Sequence, residues 1–224
     1  MNKTRKLVIL GDSAFAEIAY EYFTYDSDYE VAGFAVEQAY LKRDELMGLP
    51  VVSLESIEAY FPPEECDFFA AITYGQLNRL RTRLFESTKA RGYKAASYVS
   101  SRAFVWRNVE IGEHCFIFEN NVIQPFVKLE NNIVLWSGNH IGHHSRIGAN
   151  CFLASHAVIS GFVDVGANCF VGVNATVVNN ICIGVDCVIG AGATITADVP
   201  DDKVVKGTAG EPTGSALRLN RVGR

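Results

Sequence analysis

The sequence predicts a two-domain chain, with an α/β domain over residues 1–100 followed by a parallel β-helix of triangular section over residues 101–224. Two observations carry this. From Val105 to Ile195 an aliphatic residue falls on every sixth position, sixteen in succession, although Val, Ile and Leu together supply only 53 of the 224 residues. Ahead of that run an apolar strand, a short turn, an amphipathic helix and a second strand follow one another between Leu7 and Val36. A fixed repeat of this kind takes precedence over local patterns in deciding architecture.

A six-residue period belongs neither to a helix nor to a simple strand, whose side chains repeat at 3.6 and 2. A coil with three short flat sides does have it, with one inward residue per side and eighteen residues per turn. Stacked coils then pair their backbones at a spacing of roughly 4.8 Å. Val105, Ile111, Ile117, Ile123, Leu129, Leu135, Ile141, Ile147, Leu153, Ile159, Val165, Val171, Val177, Ile183, Ile189 and Ile195 are the inward set. One position later stand Gly112, Gly142, Gly148, Gly166, Gly172, Gly184 and Gly190, which predicts a turn of positive φ at that place. Four positions later the residues are small or aliphatic, among them Ser145, Ala157, Val163, Ala175 and Ala193, suited to a narrow corner. Cys151, Cys169 and Cys187 are eighteen apart and Cys115 precedes Cys151 by thirty-six, which predicts one interior column of packed thiols in preference to disulfides or a metal cluster.

In the first domain Leu7–Leu10 reads as a buried strand, Gly11-Asp12-Ser13 as a turn, Ala14–Tyr25 as a helix and Glu30–Val36 as a second strand. This order opens a doubly wound, Rossmann-like nucleotide-binding unit, and Glu37 stands where such folds often place an acid. The glycine fingerprint is missing, since Asp12, Ser13, Ala14, Phe15 and Ala16 follow Gly11. A nucleotide site and a plain structural domain are therefore both open here. Ser53–Tyr60 predicts a short serine-capped helix stopped by Pro62-Pro63, Asp67–Thr73 a third strand, Asn78–Arg91 a helix with Leu80, Leu84 and Phe85 inward, and Ala95–Val99 a fourth strand. Arg79, Arg81 and Arg83 read as a solvated face, with an arginine beside a pyrophosphate as the alternative.

Composition narrows the function classes. A net charge of -5 argues against nucleic acid as partner. Six cysteines without a CxxC pair point to a reducing compartment. Four apolar residues between Lys6 and Gly11 are too few for a signal peptide, and no stretch approaches a membrane span, so a soluble, cytoplasmic protein is expected.

Four of the five histidines, His140, His143, His144 and His156, lie within seventeen residues. In the hexad register they fall outside the inward set, so they face outward or sit at corners. Gly161 follows His143 by eighteen residues and should lie beside it on the next coil, leaving room for a thioester and offering a bare backbone N–H. A base and an oxyanion donor would then be neighbours, as acyl transfer requires.

The hexads resemble those of the left-handed β-helix, or hexapeptide-repeat, acyltransferases. The left hand is implied by that resemblance alone, because crossover preference favours the right hand. With the preceding α/β domain, residues from Lys6 to about Pro212 are most similar to the bacterial N-acetyltransferases of nucleotide-linked amino sugars and the related sialic acid O-acetyltransferases. The resemblance implies a homotrimer that uses acetyl-CoA as donor, with no metal, and a first domain that holds the nucleotide of a sugar substrate. In Asn139-His140-Ile141-Gly142-His143-His144 it makes His143 the general base, Gly161 the oxyanion glycine and His144 the neighbour that orients the imidazole. That neighbour is commonly an acid in the family, and a neutral histidine supplies no negative charge. Phe152, Gly161, Val173, Ala191 and Lys206 are implied as CoA contacts, and Gly11, Asp12, Ser13, Glu37, Tyr74 and His140 as contacts to the sugar nucleotide. Trp136 and His156 either border the cleft or pack at a trimer contact. Basic residues from Lys203 to Arg224 either meet CoA phosphates or form a polar tail.

The expected reaction is acetyl transfer to an amino group for bacterial surface glycan synthesis, with O-acetylation as the alternative. Two rivals from other classes are a zinc enzyme like the β-helical carbonic anhydrases and a non-catalytic binding module.

Overall fold

A computed structural model describes residues 3–210; Pro212 and the basic residues of the tail beyond it, as far as Arg224, lie outside the described residues. In the α/β domain β1 (Arg5–Leu10), β2 (Tyr29–Val36), β3 (Glu45–Leu46), β4 (Leu49–Ser53) and β5 (Cys66–Ala70) form a sheet in the order β3-β4-β2-β1-β5. All pairings are parallel except β3 with β4. Helices α1 (Ala14–Tyr25) and α2 (Arg79–Ala90) flank it. The chain leaves β1 toward β2 on one side and later returns to β5 on the other. A crevice therefore opens beyond the carboxyl ends of β1, β2 and β5, the place where doubly wound sheets bind ligands.

Two expectations for this domain change. Leu54–Ala59 is a 3-10 segment in which Ser53 makes no capping bond; its hydroxyl is hydrogen-bonded to Glu55 instead. The stretch expected as a fourth strand is divided, because Ala95 makes only a single bridge to Phe68 while Tyr98–Val99 pairs with Phe116–Ile117. That pair is already the first rung of the second domain.

The second domain is a parallel β-helix of two-residue strands, each with its first residue outward and its second inward. Its strands stack into three walls, of seven, six and five strands. Tyr98, Phe116, Val134, Phe152, Phe170, Val188 and Val204 face out from the docked wall, which the α/β domain covers at its early rungs. Phe104, Val122, His140, Val158, Thr176 and Thr194 face out from the apolar wall. Glu110, Lys128, Arg146, Asp164 and Cys182 face out from the charged wall, where Arg146 bridges Glu130 and Asp164. Between Ile117 and Ile195 the inward set is at most 3% exposed, and Cys115, Cys151, Cys169 and Cys187 are buried among it as free thiols.

Where the corners take positive φ differs from the expectation. The left-handed residue comes three positions after the inward one, at His114, Asn120, Phe126, Asn132, His144, Asn150, His156, Phe162, Asn168, Asn174, Asn180 and Asp186, with Gly138 and Gly192 in the same register. Asn and Asp tolerate this region better than most side chains. The glycines one position after the inward residue serve close approach instead, since a Cβ on Gly148 would stand 2.7 Å from the backbone of the next coil.

The two domains share one core. Phe15, Tyr22 and Phe23 on α1 pack against Phe116, with Phe118 and Trp136 beside it, and one cluster of buried residues runs from the sheet into the docked wall. Trp136 thus belongs to the seam between the domains, tilted against Phe118 and stacked on Phe152.

Arg81 is the larger correction. It is fully buried and donates to the carbonyls of Asn132, Asn150 and Cys151 on successive coils and to the Asn78 and Asn132 side chains. Its neighbour Asn78 bonds the carbonyls of Asn168 and Cys169. The side chains of Asn132, Asn150 and Asn168 bond one another along the corner. Burial lowers the Arg81 pKa to about 10, which leaves it charged at neutral pH. Arg79 and Arg83 are exposed as expected, paired with Asp186 and Glu37.

Candidate active site

The histidines divide among the elements of the β-helix. His140 faces out from the middle of the apolar wall, in register with Val122 and Val158. His143 and His144 form the corner between the apolar and charged walls, and His156 lies on the opposite edge, where a Cβ on Gly138 would meet its ring. Among the described residues no group of three His, Cys, Asp or Glu side chains converges as for a metal ion.

At the first corner His143 is exposed, and its backbone N–H donates to Gln124 Oε1 at 3.0 Å. Its Nδ1 stands 3.2 Å from Nδ1 of His144. One ring donates and the other accepts; with the proton on Nδ1 of His143, its Nε2 keeps a lone pair for a substrate proton. The His144 ring is stacked between Phe126 and Phe162, with centroids at 4.6 and 4.8 Å. These three residues are eighteen apart in sequence and share the left-handed corner position, so the repeat itself builds the stack. No sequence feature other than that spacing signals it.

Gly161 does lie beside His143 on the next coil, but the space it leaves is taken. A Cβ on Gly161 would sit 2.7 Å from Cε1 and 2.8 Å from Nε2 of the imidazole. The glycine lets the ring lie against the backbone, and no room for a thioester remains between them. Its N–H is not bare either, because it donates to Oδ1 of Asn179 at 2.9 Å. Asn179, eighteen residues further along, is absent from the sequence-based set.

The residues expected to meet CoA are spread over three places. Val173 and Ala191 are exposed on the corner between the docked and apolar walls. Exposed Lys206 joins them there, because Val205 pairs with Ile189 and carries the following residue alongside Gly190. Gly161 is on the other edge of the apolar wall. Phe152 is 3% exposed on the docked wall, under Tyr74 and near the Arg81 guanidinium, and it offers no open face to a cofactor.

Gly11, Asp12, Ser13 and Glu37 do come together. They line a cavity of about 300 Å³ beyond β1 and β2, with Tyr40, Leu54, Ile72, Leu80 and Leu84 among its other walls. Gly11 holds φ +113° there, a conformation that side-chain-bearing residues rarely adopt. Both Glu37 oxygens accept from Arg83 at 2.9 Å, and Asp12 is ion-paired with Arg43. Tyr74 is not part of this cavity; its ring packs on Phe152 and Phe170 at the seam. His140 is remote from it on the apolar wall.

The fifth histidine was not among the residues singled out from the sequence. His114 is buried between Phe69 and Phe85, accepts the Ala70 N–H at Nε2 and bonds Asn132 Oδ1 through Nδ1. Burial, with the nearby Arg81 charge, lowers its pKa to about 3, so it is a neutral structural group.

Comparison with known proteins places this arrangement. Residues 162–197 match the hexapeptide repeat of succinyl-transferase. No curated protein matches the chain by sequence. Among solved structures, the acetyltransferase domain of PglB from Neisseria gonorrhoeae is 23% identical with a TM-score of 0.82, covering 94% of this chain and 100% of that one. PerB from Caulobacter crescentus, in complex with CoA and GDP-perosamine, is 25% identical with a TM-score of 0.81 over 90% of this chain and 94% of its own. WeeI from Acinetobacter baumannii is 22% identical, with a TM-score of 0.70 over 91% and 97%. Residues 162–197 carry hexapeptide repeats, and the chain has the two-domain fold of these structures, an α/β domain docked on a parallel β-helix.

Proposed function

We propose that the protein transfers the acetyl group of acetyl-CoA to an amino group of a nucleotide-linked sugar. The observation that carries this reading is the imidazole of His143, held against Gly161 at an exposed corner and backed by His144. His143 Nε2 takes the proton that the amine loses as its nitrogen attacks the thioester carbonyl, and returns it to the departing sulfur when the C–S bond breaks. His144 fixes the tautomer of the base without supplying a negative charge. This arrangement suits an amine, a good nucleophile once deprotonated, better than a hydroxyl, which needs a stronger base. O-acetylation is therefore the weaker alternative.

The cavity beside Gly11 is the place for the nucleoside. Its volume lies at the low end of small-molecule sites, about 300–1,000 Å³, and Asp12 and Glu37 stand at its polar side as acceptors for sugar hydroxyls. PerB, whose structure contains CoA and GDP-perosamine, has this same two-domain fold.

A homotrimer fits the distribution of the donor contacts. Val173, Ala191 and Lys206 lie on one edge of the apolar wall and His143 on the other, so a donor that touches both sets must lie between two copies. The apolar wall carries Phe104 at 52% and Val158 at 37% exposure, surface that a second copy would cover. Among the described residues no helix is long and apolar enough to cross a membrane. We place the protein in the cytoplasm, where acetyl-CoA and sugar nucleotides are available, acting in surface glycan synthesis.

CoA release with a panel of amino and hydroxy sugar nucleotides tests the reading. Turnover with an amino sugar nucleotide, lost in His143→Ala, is the expected result. Undiminished turnover in that variant removes His143 as base, and turnover confined to hydroxy sugars establishes the alternative.

A further inference from the structure

The column of residues through His144 differs from the other corners of the β-helix in what it places at positive φ. Among the described residues the left-handed corner position is otherwise held by Asn, Asp, His or Gly, yet Phe126 holds φ +65° and Phe162 φ +57°. Bulky side chains are genuine outliers in this region, and backbone strain of that kind concentrates at functional sites. The two phenylalanines stand directly before and after His144 in its column, and the next member, Asn180, is an asparagine again.

Backbone bonds keep the column in line. The His144 N–H donates to the Pro125 carbonyl at 3.2 Å and the Phe162 N–H to the His143 carbonyl at 3.0 Å. The rings follow, with His144 inclined 27° to Phe126 and 16° to Phe162. A carboxylate can accept over a wide range of directions, but a neutral imidazole has a single acceptor nitrogen whose lone pair lies in the ring plane. His144 therefore accepts from Nδ1 of His143, 3.2 Å away, only while its own plane points there. That plane stands at 86° to the base, and an aromatic face on each side of it opposes rotation.

We infer that Phe126 and Phe162 are positioning residues for the base. By clamping the His144 ring they keep its Nδ1 on Nδ1 of His143, so an uncharged partner maintains the tautomer that leaves Nε2 free. Phe162 also stands edge-on to His143, with centroids 5.1 Å apart, whereas among the described residues the Phe126 ring stacks on His144 alone. Phe126 therefore isolates the effect. The inference rests on the acetyl-transfer reading.

Phe126→Asn installs a residue type that other corners use. It should keep or raise thermal stability while lowering kcat on the order of 10-fold, less than the roughly 10²-fold cost of misplacing a reacting group by about 1 Å. KM for acetyl-CoA and for the sugar nucleotide should be little changed. Phe126→Tyr keeps a ring there and should retain most of kcat. In a His144→Gly background Phe126→Asn should cost nothing further, because the clamp then has nothing to hold. Unchanged kcat in Phe126→Asn, a loss confined to KM, or an equal additional loss in the His144→Gly background overturns the inference. A destabilised Phe126→Asn, or one whose mass in solution has changed, assigns the ring to folding or to contact between copies and overturns it too.

A readout independent of turnover is the tautomer of His143 in ligand-free protein, at a pH where the ring is neutral. Ring nitrogen shifts correlated with the carbon-bound protons report it, and His143→Ala assigns the signals. The native protein should carry the proton on Nδ1, Phe126→Asn should move it toward Nε2, and Phe126→Tyr should not. The same tautomer in Phe126→Asn removes the clamp and leaves the acetyl-transfer reading standing. Absence of turnover by the native protein with every amino sugar nucleotide removes that reading, and the clamp's part in catalysis with it.

Discussion

The imidazole of His143 rests on the α-carbon of Gly161, so closely that a methyl group added to the glycine would stand 2.7 Å from Cε1 of the ring. Gly161 is not at positive φ, so the requirement for glycine here is contact and not backbone conformation.

Gly161→Ala should therefore leave the fold intact and move the ring. A misplacement of about 1 Å at a reacting group costs on the order of 10²-fold. A fall of that size in kcat with unchanged thermal stability is expected. Steady-state kinetics beside a thermal melt checks it, and an unaltered kcat means the ring position is not functional.

His144 holds φ +60°, where Asn is tolerated and most other side chains are strained. His144→Gly removes the acceptor for His143 without backbone strain and should lower kcat by roughly 10–100-fold, less than the roughly 10²–10⁴-fold of a lost general base, because the base itself remains. His144→Asn restores an acceptor and should recover part of it. Equal rates in the two variants argue that the imidazole at 144 does not orient the base.

Arg81 satisfies carbonyls on successive coils with no carboxylate nearby. Arg81→Met leaves the Asn132 and Asn150 carbonyls without their donor, at about 1–3 kcal/mol for each group left so, while the Cys151 carbonyl still accepts from the Val134 N–H. Arg81→Lys should rescue little, because one ammonium cannot reproduce the planar fork. Denaturant unfolding measures both, and a loss under about 1 kcal/mol for Arg81→Met contradicts a docking role.

His114 makes stability depend on pH. Its folded pKa of about 3 lies below the ordinary 6.5, so between those values the unfolded chain binds a proton that the folded chain does not. Its full contribution is present above about pH 6.5. It falls by up to about 1.4 kcal/mol per unit as the pH drops toward 3. His114→Asn, also suited to φ +58°, should be less stable at pH 7 yet lose this component of the acid sensitivity. Parallel unfolding curves at pH 7 and pH 5 decide it; an identical pH slope in the variant contradicts the assignment.

The coil register was legible because an inward aliphatic residue recurs without exception from Val105 to Ile195. From that spacing follow the three walls, the thiol column and the adjacency of His143 to Gly161. The strand–turn–helix order likewise identified the α/β domain, while leaving open whether the turn at Gly11 borders a site. The position of positive φ was misread, because glycine answers equally to conformation and to close approach, and spacing does not say which.

What the sequence by itself determined is local and periodic: which residues face in, which stack eighteen apart, and which side chains stand at a corner. Only the tertiary structure decided that Arg81 is buried, that Phe152 is covered, and that the Gly161 N–H is already bonded, to Asn179. Each of these depends on how one body lies against another or how a side chain turns within its column. Such outcomes are set by shape and hydrogen-bond satisfaction between residues distant in sequence, which a repeat period does not encode.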